Sequence, residues 1–173
     1  MNRIGIASLL VAVACSSTAT AQSAGSLGLT FQTPAALGVL WHASESLALH
    51  PELTFSRTTN NSGTASESTT NSWGIALGAP FYMSNADNLR TYLSPRIGYA
   101  SSESGAGASS GSSTQLNLSV SYGVHYSLSK RLAAFGETGL AYTDSKTEFG
   151  SATSNANGFG LRSSIGLALY SGR

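Results

Sequence analysis

Strict alternation over residues 116–142, LNLSVSYGVHYSLSKRLAAFGETGLAY, constrains the fold more than any other stretch. Leu116, Leu118, Val120, Tyr122, Val124, Tyr126 and Leu128 fall on one parity; Asn117, Ser119, Ser121, Gly123, His125 and Ser127 fall on the other. A strand sends successive side chains to opposite faces, so this limb is a two-faced strand. After a tight turn at Ser129-Lys130, Leu132, Ala134, Leu140 and Tyr142 continue the apolar row, with Phe135 and Glu137 opposite. Limbs of roughly 13 and 11 residues exceed the usual ~5–6 and match the ~9–11 that cross a bilayer at a tilt. The apolar face turns inward in a soluble sandwich and outward to lipid in an outer-membrane barrel.

The same pattern recurs along the chain. Leu27, Leu29 and Phe31 alternate with small residues up to Thr33-Pro34, where proline interrupts a ladder, and Leu37, Val39 and Trp41 resume it as a second short strand or the rest of a broken one. Further apolar rows are Leu47, Leu49, Leu53 and Phe55; Trp73, Ile75, Leu77, Phe81 and Met83; Leu93, Ile97 and Tyr99; and Phe159, Leu161, Ile165, Leu167 and Leu169. Between them, residues 57–71, 101–113 and 144–156 are polar, Ser/Thr/Gly-rich runs that read as long loops, the second of them mobile. They alternate with short turns near residues 42–46, 84–88 and 129–130. Short turns at one end and long loops at the other are the asymmetry of an outer-membrane barrel. The predicted fold is all-β: an eight-stranded antiparallel up-and-down transmembrane β-barrel.

The charges follow the pattern. Only 10% of residues are charged, against about 25% in ordinary soluble domains. Those predicted within strands, Glu52, Arg90, Arg96, Glu137 and Arg162, all share the small, polar parity. Ten glycines, including Gly28, Gly38, Gly123, Gly158, Gly160 and Gly166, crowd that parity too, as the tight interior of a narrow barrel favours. Counted from the short-turn end, Glu52, Arg96, Glu137 and Arg162 reach a similar depth, which predicts a charged plug across the lumen. A secreted soluble barrel of lipocalin type is the rival fold; tyrosines such as Tyr99 and Tyr142 near strand ends argue for interfacial girdles instead.

Residues 1–21 have the plan of a signal peptide: Asn2-Arg3, an apolar run over residues 4–14, and Ala19-Thr20-Ala21 before the cut, leaving 22–173 as the barrel domain. Cys15, the single cysteine, partly matches a lipidation site and is otherwise removed with the peptide, so no disulfide or thiolate metal site is expected. His42 and His50 lack a third ligand at metal spacing, and no phosphate-cradling glycine loop opens a helix; no cofactor is implied. A net charge of +1 gives no reason to expect nucleic acid.

The stretches Tyr122-Gly-Val-His-Tyr-Ser-Leu-Ser, Phe135-Gly-Glu-Thr-Gly-Leu-Ala-Tyr142 and Gly160-Leu-Arg-Ser-Ser-Ile-Gly-Leu-Ala-Leu-Tyr170 resemble the small outer-membrane β-barrel proteins of the OmpA membrane domain and OmpX type. The ending departs from that family: Ser171-Gly172-Arg173 follows Tyr170 where a terminal Phe is usual. The resemblance implies the outer membrane of a Gram-negative bacterium, insertion by the outer-membrane assembly machinery, contact with membrane lipids and lipopolysaccharide, and structural, adhesive or small-solute roles. His125-Tyr-Ser127 with Glu137 also resembles the Ser, His and Glu of lipid A deacylases, but Leu128 replaces the Asn that follows the serine there, and the pair lies at the short-turn end. The function expected is therefore non-enzymatic: a barrel with a plugged polar lumen and a structural or surface-interaction role, its outer segments 57–71, 101–113 and 144–156 offering weak contacts. The alternatives are a narrow channel for small solutes, a path for hydrophobic solutes through the wall near Pro34 or Pro80, and a deacylase-like hydrolase.

Overall fold

The computed structural model describes residues 24–63, 67–86, 88–106 and 109–171; the expected signal peptide and Cys15 lie outside them. All regular structure among the described residues is β. The strands are β1 (Leu27–Thr33), β2 (Ala36–His42), β3 (Ala48–Asn60), β4 (Ser68–Gly78), β5 (Phe81–Ala86), β6 (Leu89–Ala106), β7 (Ser109–Ser127), β8 (Leu132–Phe149) and β9 (Ala152–Tyr170). Each is antiparallel to its neighbours, and pairing of β1 with β9 and of β4 with β6 closes the sheet on itself. Pro80 cannot donate to a ladder, so β4 and β5 are two halves of one stave. Tyr82 N–H donates to Ser46 O at 2.8 Å and Ala48 N–H to Pro80 O at 3.0 Å, which carries the wall past the break. The result is a closed eight-stave antiparallel barrel.

The register fixes its stagger. From Phe31 the facing residues run Leu37, Leu53, Ile75, Tyr99, Leu116, Asp144 and Asn157. Phe31 itself faces Leu167 on β9, ten residues beyond Asn157. Eight staves with that offset tilt by about 40° from the axis. At this tilt Phe55, Trp73, Tyr99, Tyr142 and Phe159 form a ring at one end of the apolar rows, roughly 25 Å from Leu27, Leu89, Tyr126 and Leu132 at the other, the height of a bilayer-facing band. Trp73 packs on Tyr99 at 5.7 Å between ring centroids and Tyr142 on Phe159 at 5.1 Å. Every long apolar row points outward, with Leu118 45% exposed and Leu161 84%. Glu52, Arg90, Arg96 and Glu137 are buried inside.

Residues 57–71, 101–113 and 144–156 are not long loops. β3 and β4 stay paired to Asn60 and Ser68, β6 and β7 to Ala106 and Ser109, and β8 and β9 to Phe149 and Ala152. Once two strands leave the barrel in register, each further rung adds cross-strand pairs with almost no new loop to close. Hydroxyls link the rungs, Thr59 to Thr69 at 3.3 Å and Ser113 to Thr147 at 3.2 Å. Phe149 covers Gly111, 2.9 Å from where a Cβ would sit. Because β4 also pairs with β6 as far as Thr69 and Gly105, six strands rise together as one tall wall. β1 and β2 do not rise with it: they are separate seven-residue strands joined at Pro34-Ala35.

Tight packing holds at Gly28, Gly38, Gly123 and Gly166, where a Cβ would run into Tyr170, Thr30, Tyr92 and Phe135 respectively. The expectation fails at Gly158 and Gly160, where a Cβ would meet nothing within 4 Å. Both sit on the outer half of β9, which has no neighbour on its β1 side.

Candidate functional site

The lumen is filled in two layers. In the upper layer β3, β6, β8 and β9 bring Glu52, Arg96, Glu137 and Arg162 into one network. Arg96 pairs with Glu52 through Nη1 and with Glu137 through Nη2, the latter at 2.9 Å. Arg162 Nη1 also pairs with Glu137. Ser164 Oγ donates to Glu137 Oε1 at 3.2 Å, and the Tyr92 hydroxyl donates to Oε2 at 3.4 Å. His50 Nδ1 lies 3.0 Å from Glu52 Oε1, while its Nε2 lies 2.8 Å from Thr30 Oγ1. The chain of contacts thus runs from β1 across the bore to β9. The Glu137 side chain is 2% exposed and that of Arg162 22%, so the outermost guanidinium is the wet member.

Beneath it lies an aromatic layer. Tyr82 Oη pairs with His125 Nδ1 at 3.0 Å, Tyr170 Oη lies 3.4 Å from His125 Nε2, and His42 Nε2 pairs with Tyr170 Oη at 3.1 Å. His42 stacks on Tyr82 and His125 on Tyr170. Only about 10 Å³ remains free among Leu40, His50, Tyr82, Tyr92, His125 and Phe135. Arg90 belongs to this layer rather than to the network above it: its guanidinium lies 4.1 Å over the Tyr82 ring and bonds the Glu45 carbonyl. Tyr82 and Tyr92 alternate with the outward Phe81, Met83 and Leu93 and so fall on the polar parity of their strands. That parity was the available signal, because a bulky ring on the small-residue face has only the lumen to fill.

Above the network a cavity of about 460 Å³ is lined by residues including Gln32, Thr54, Arg96, Asn117, Ser119 and Arg162. No cluster of side chains suited to a metal ion occurs among the described residues. His125, Ser127 and Glu137 are not assembled for nucleophilic catalysis. Both ring nitrogens of His125 are engaged by tyrosine hydroxyls, and Glu137 is held by Arg96 and Arg162. An activated serine needs the histidine on its hydroxyl and the carboxylate on the histidine.

No protein-family model matches the chain, and no curated protein matches it. Among solved structures it is similar to CarO of Acinetobacter baumannii, at 10% identity over 85% of this chain and 97% of that one, with a TM-score of 0.49. It is also similar to CarO2 of the same organism, at 11% identity over 84% and 97% of the two chains, with a TM-score of 0.45.

Proposed function

We propose that this protein is an outer-membrane β-barrel of a Gram-negative bacterium, non-enzymatic and closed to ions, that serves as a rigid base for its outer wall of paired strands. The observation that carries this reading is the Glu52–Arg96–Glu137–Arg162 network spanning the bore, with the aromatic layer filling the space below it. The outward apolar belt supports the membrane: lipid-exposed Leu, Ile and aromatic rows stabilise a barrel in hydrocarbon, whereas the same rows in water invite aggregation. The ends of β1 and β9 and the short turns then face the periplasm, and the tall wall faces outward, where lipopolysaccharide and weak surface ligands would meet it. The engagement of both His125 nitrogens favours a structural role for that residue over hydrolysis.

Reconstitution of the folded chain in planar bilayers tests the closed lumen. The expected record shows insertion without a steady conducting level. A reproducible open level in the wild-type protein would overturn the plug and favour solute passage.

A further inference from the structure

The low β1–β2 hairpin leaves a notch in the wall. Residues 152–164 of β9 pair with β8 alone, and residues 55–60 of β3 pair with β4 alone. Between these two free edges the barrel lacks the continuation of two strands, a gap of about 14 Å at ordinary strand spacing. With strands tilted near 40°, Pro34 lies roughly 7 Å below the aromatic ring at Phe55 and Phe159, so the notch opens within the apolar band. Leu161 and Phe159, the most exposed side chains of the belt, flank it.

The notch leads inward rather than to a closed wall. Pro34, Ala36, Leu161 and Ser163 join Gln32 and Arg162 in lining the 460 Å³ lumen cavity, so one space reaches from the rim of the notch to the charge network. That volume lies within the range of small-ligand sites. Gly158 and Gly160, on the free β9 edge and on the same parity as Arg162, carry no side chain, and a Cβ at either would meet nothing within 4 Å. Gln32, 9% exposed, lies on the floor of the cavity. Arg162 spends Nη1 on Glu137 and Ser121, leaving the rest of its guanidinium to the cavity. The free β9 edge adds peptide groups that at membrane depth are satisfied only by solvent in such a cavity or by a ligand.

We propose that this notch is a lateral portal through which a single-chain amphiphile with an acidic head group, of the fatty-acid class, passes from the bilayer into the lumen cavity. The alkyl chain lies against Leu161, Phe159 and Pro34, where it stays in hydrocarbon. The head group accepts hydrogen bonds from the Arg162 guanidinium and from the Gln32 side-chain N–H, above the closed network. This rests on the membrane placement argued above and adds a site that a merely structural barrel would not have.

The test is photocrosslinking with a diazirine-bearing palmitic acid, using the full folded chain in phosphatidylcholine vesicles, with adducts mapped by peptide mass spectrometry. Adducts are expected on the outward rows, from annular contact, and on inward residues Gln32, Thr54 or Arg162. Gly160→Trp, which fills open space, should lower the inward adducts about tenfold while sparing the outward ones, and Gly160→Ala should lower neither. Replacing the acid with its methyl ester, or Arg162 with Gln, removes a charge-assisted contact and should cut inward labelling about tenfold. Heat modifiability on gels confirms that each variant is folded. Adducts confined to outward rows, or inward adducts indifferent to Gly160→Trp, would overturn the portal while leaving the membrane placement intact. A folded protein with no outward adducts would sink the placement and the portal with it.

Discussion

Glu137→Ala is the sharpest perturbation of the lumen. The substitution deletes the acceptor shared by Arg96, Arg162, Ser164 and Tyr92. Removing one partner of a buried ion pair costs about 3–5 kcal/mol, chiefly because the other charge is left uncompensated. Here Arg96 keeps Glu52, and Arg162, with its side chain 22% exposed, regains water, so the lower end applies. The expected loss is about 3 kcal/mol, roughly a hundredfold in the folding equilibrium. The assay is urea-dependent folding into phosphatidylcholine vesicles, followed by the fluorescence of Trp41 and Trp73, both of which point outward. Glu148→Ala is the reference. Glu148 pairs with Lys146 at 2.6 Å, but both side chains are about half exposed, so its loss should stay within about 0.5 kcal/mol. In a double-mutant cycle, Arg162→Ala should be less costly in the Glu137→Ala background than in the wild type. If Glu137→Ala were no more costly than Glu148→Ala, the charges would be separately solvated and the network would not close the bore.

Two further outcomes follow from the orientation of the strands. Ile165→Arg, on the outward face near mid-band and 66% exposed, should destabilise the folded barrel in vesicles by about 2–4 kcal/mol, whereas Thr147→Arg on the projecting wall should be near neutral by the same urea titration. Gly166→Ala places a Cβ 2.6 Å from the Phe31 carbonyl and against Phe135, so heat-modifiability gels should show a lowered transition; Gly160→Ala, with open space around it, should match the wild type.

Much of this arrangement is written in side-chain parity. The outward row of β7 and the inward placing of Glu52, Arg96 and Glu137 both follow from a period of two that each strand carries locally. The heights of the strands do not. Residues 101–113 are so rich in Ser and Gly that local propensity points to a loop, yet pairing with already registered neighbours on both sides of β7 extends the sheet through them. Such pairing is non-local, and no short window records it. The same gap hid the notch: Thr33-Pro34 showed an interruption, but its depth below the aromatic ring depends on the ten-residue stagger summed around the barrel. Gly158 and Gly160 looked like packing glycines for the same reason, since their parity was readable and the missing neighbour was not. Arg90 shares the parity of the four network charges, but its position near the short-turn end sends it to Tyr82 instead.

The claim on which all of this depends is that the apolar rows meet lipid and the polar rows meet the axis. Spin labels placed singly along β7 from Leu118 to Val124, with collision rates measured for oxygen and for a water-soluble nickel chelate, test it most directly. In vesicles, labels at positions 118, 120, 122 and 124 should show high oxygen and low nickel accessibility, and labels at 119, 121 and 123 low values for both. Oxygen maxima at Ser119 and Ser121, or high nickel accessibility at Val120 and Tyr122, would contradict it.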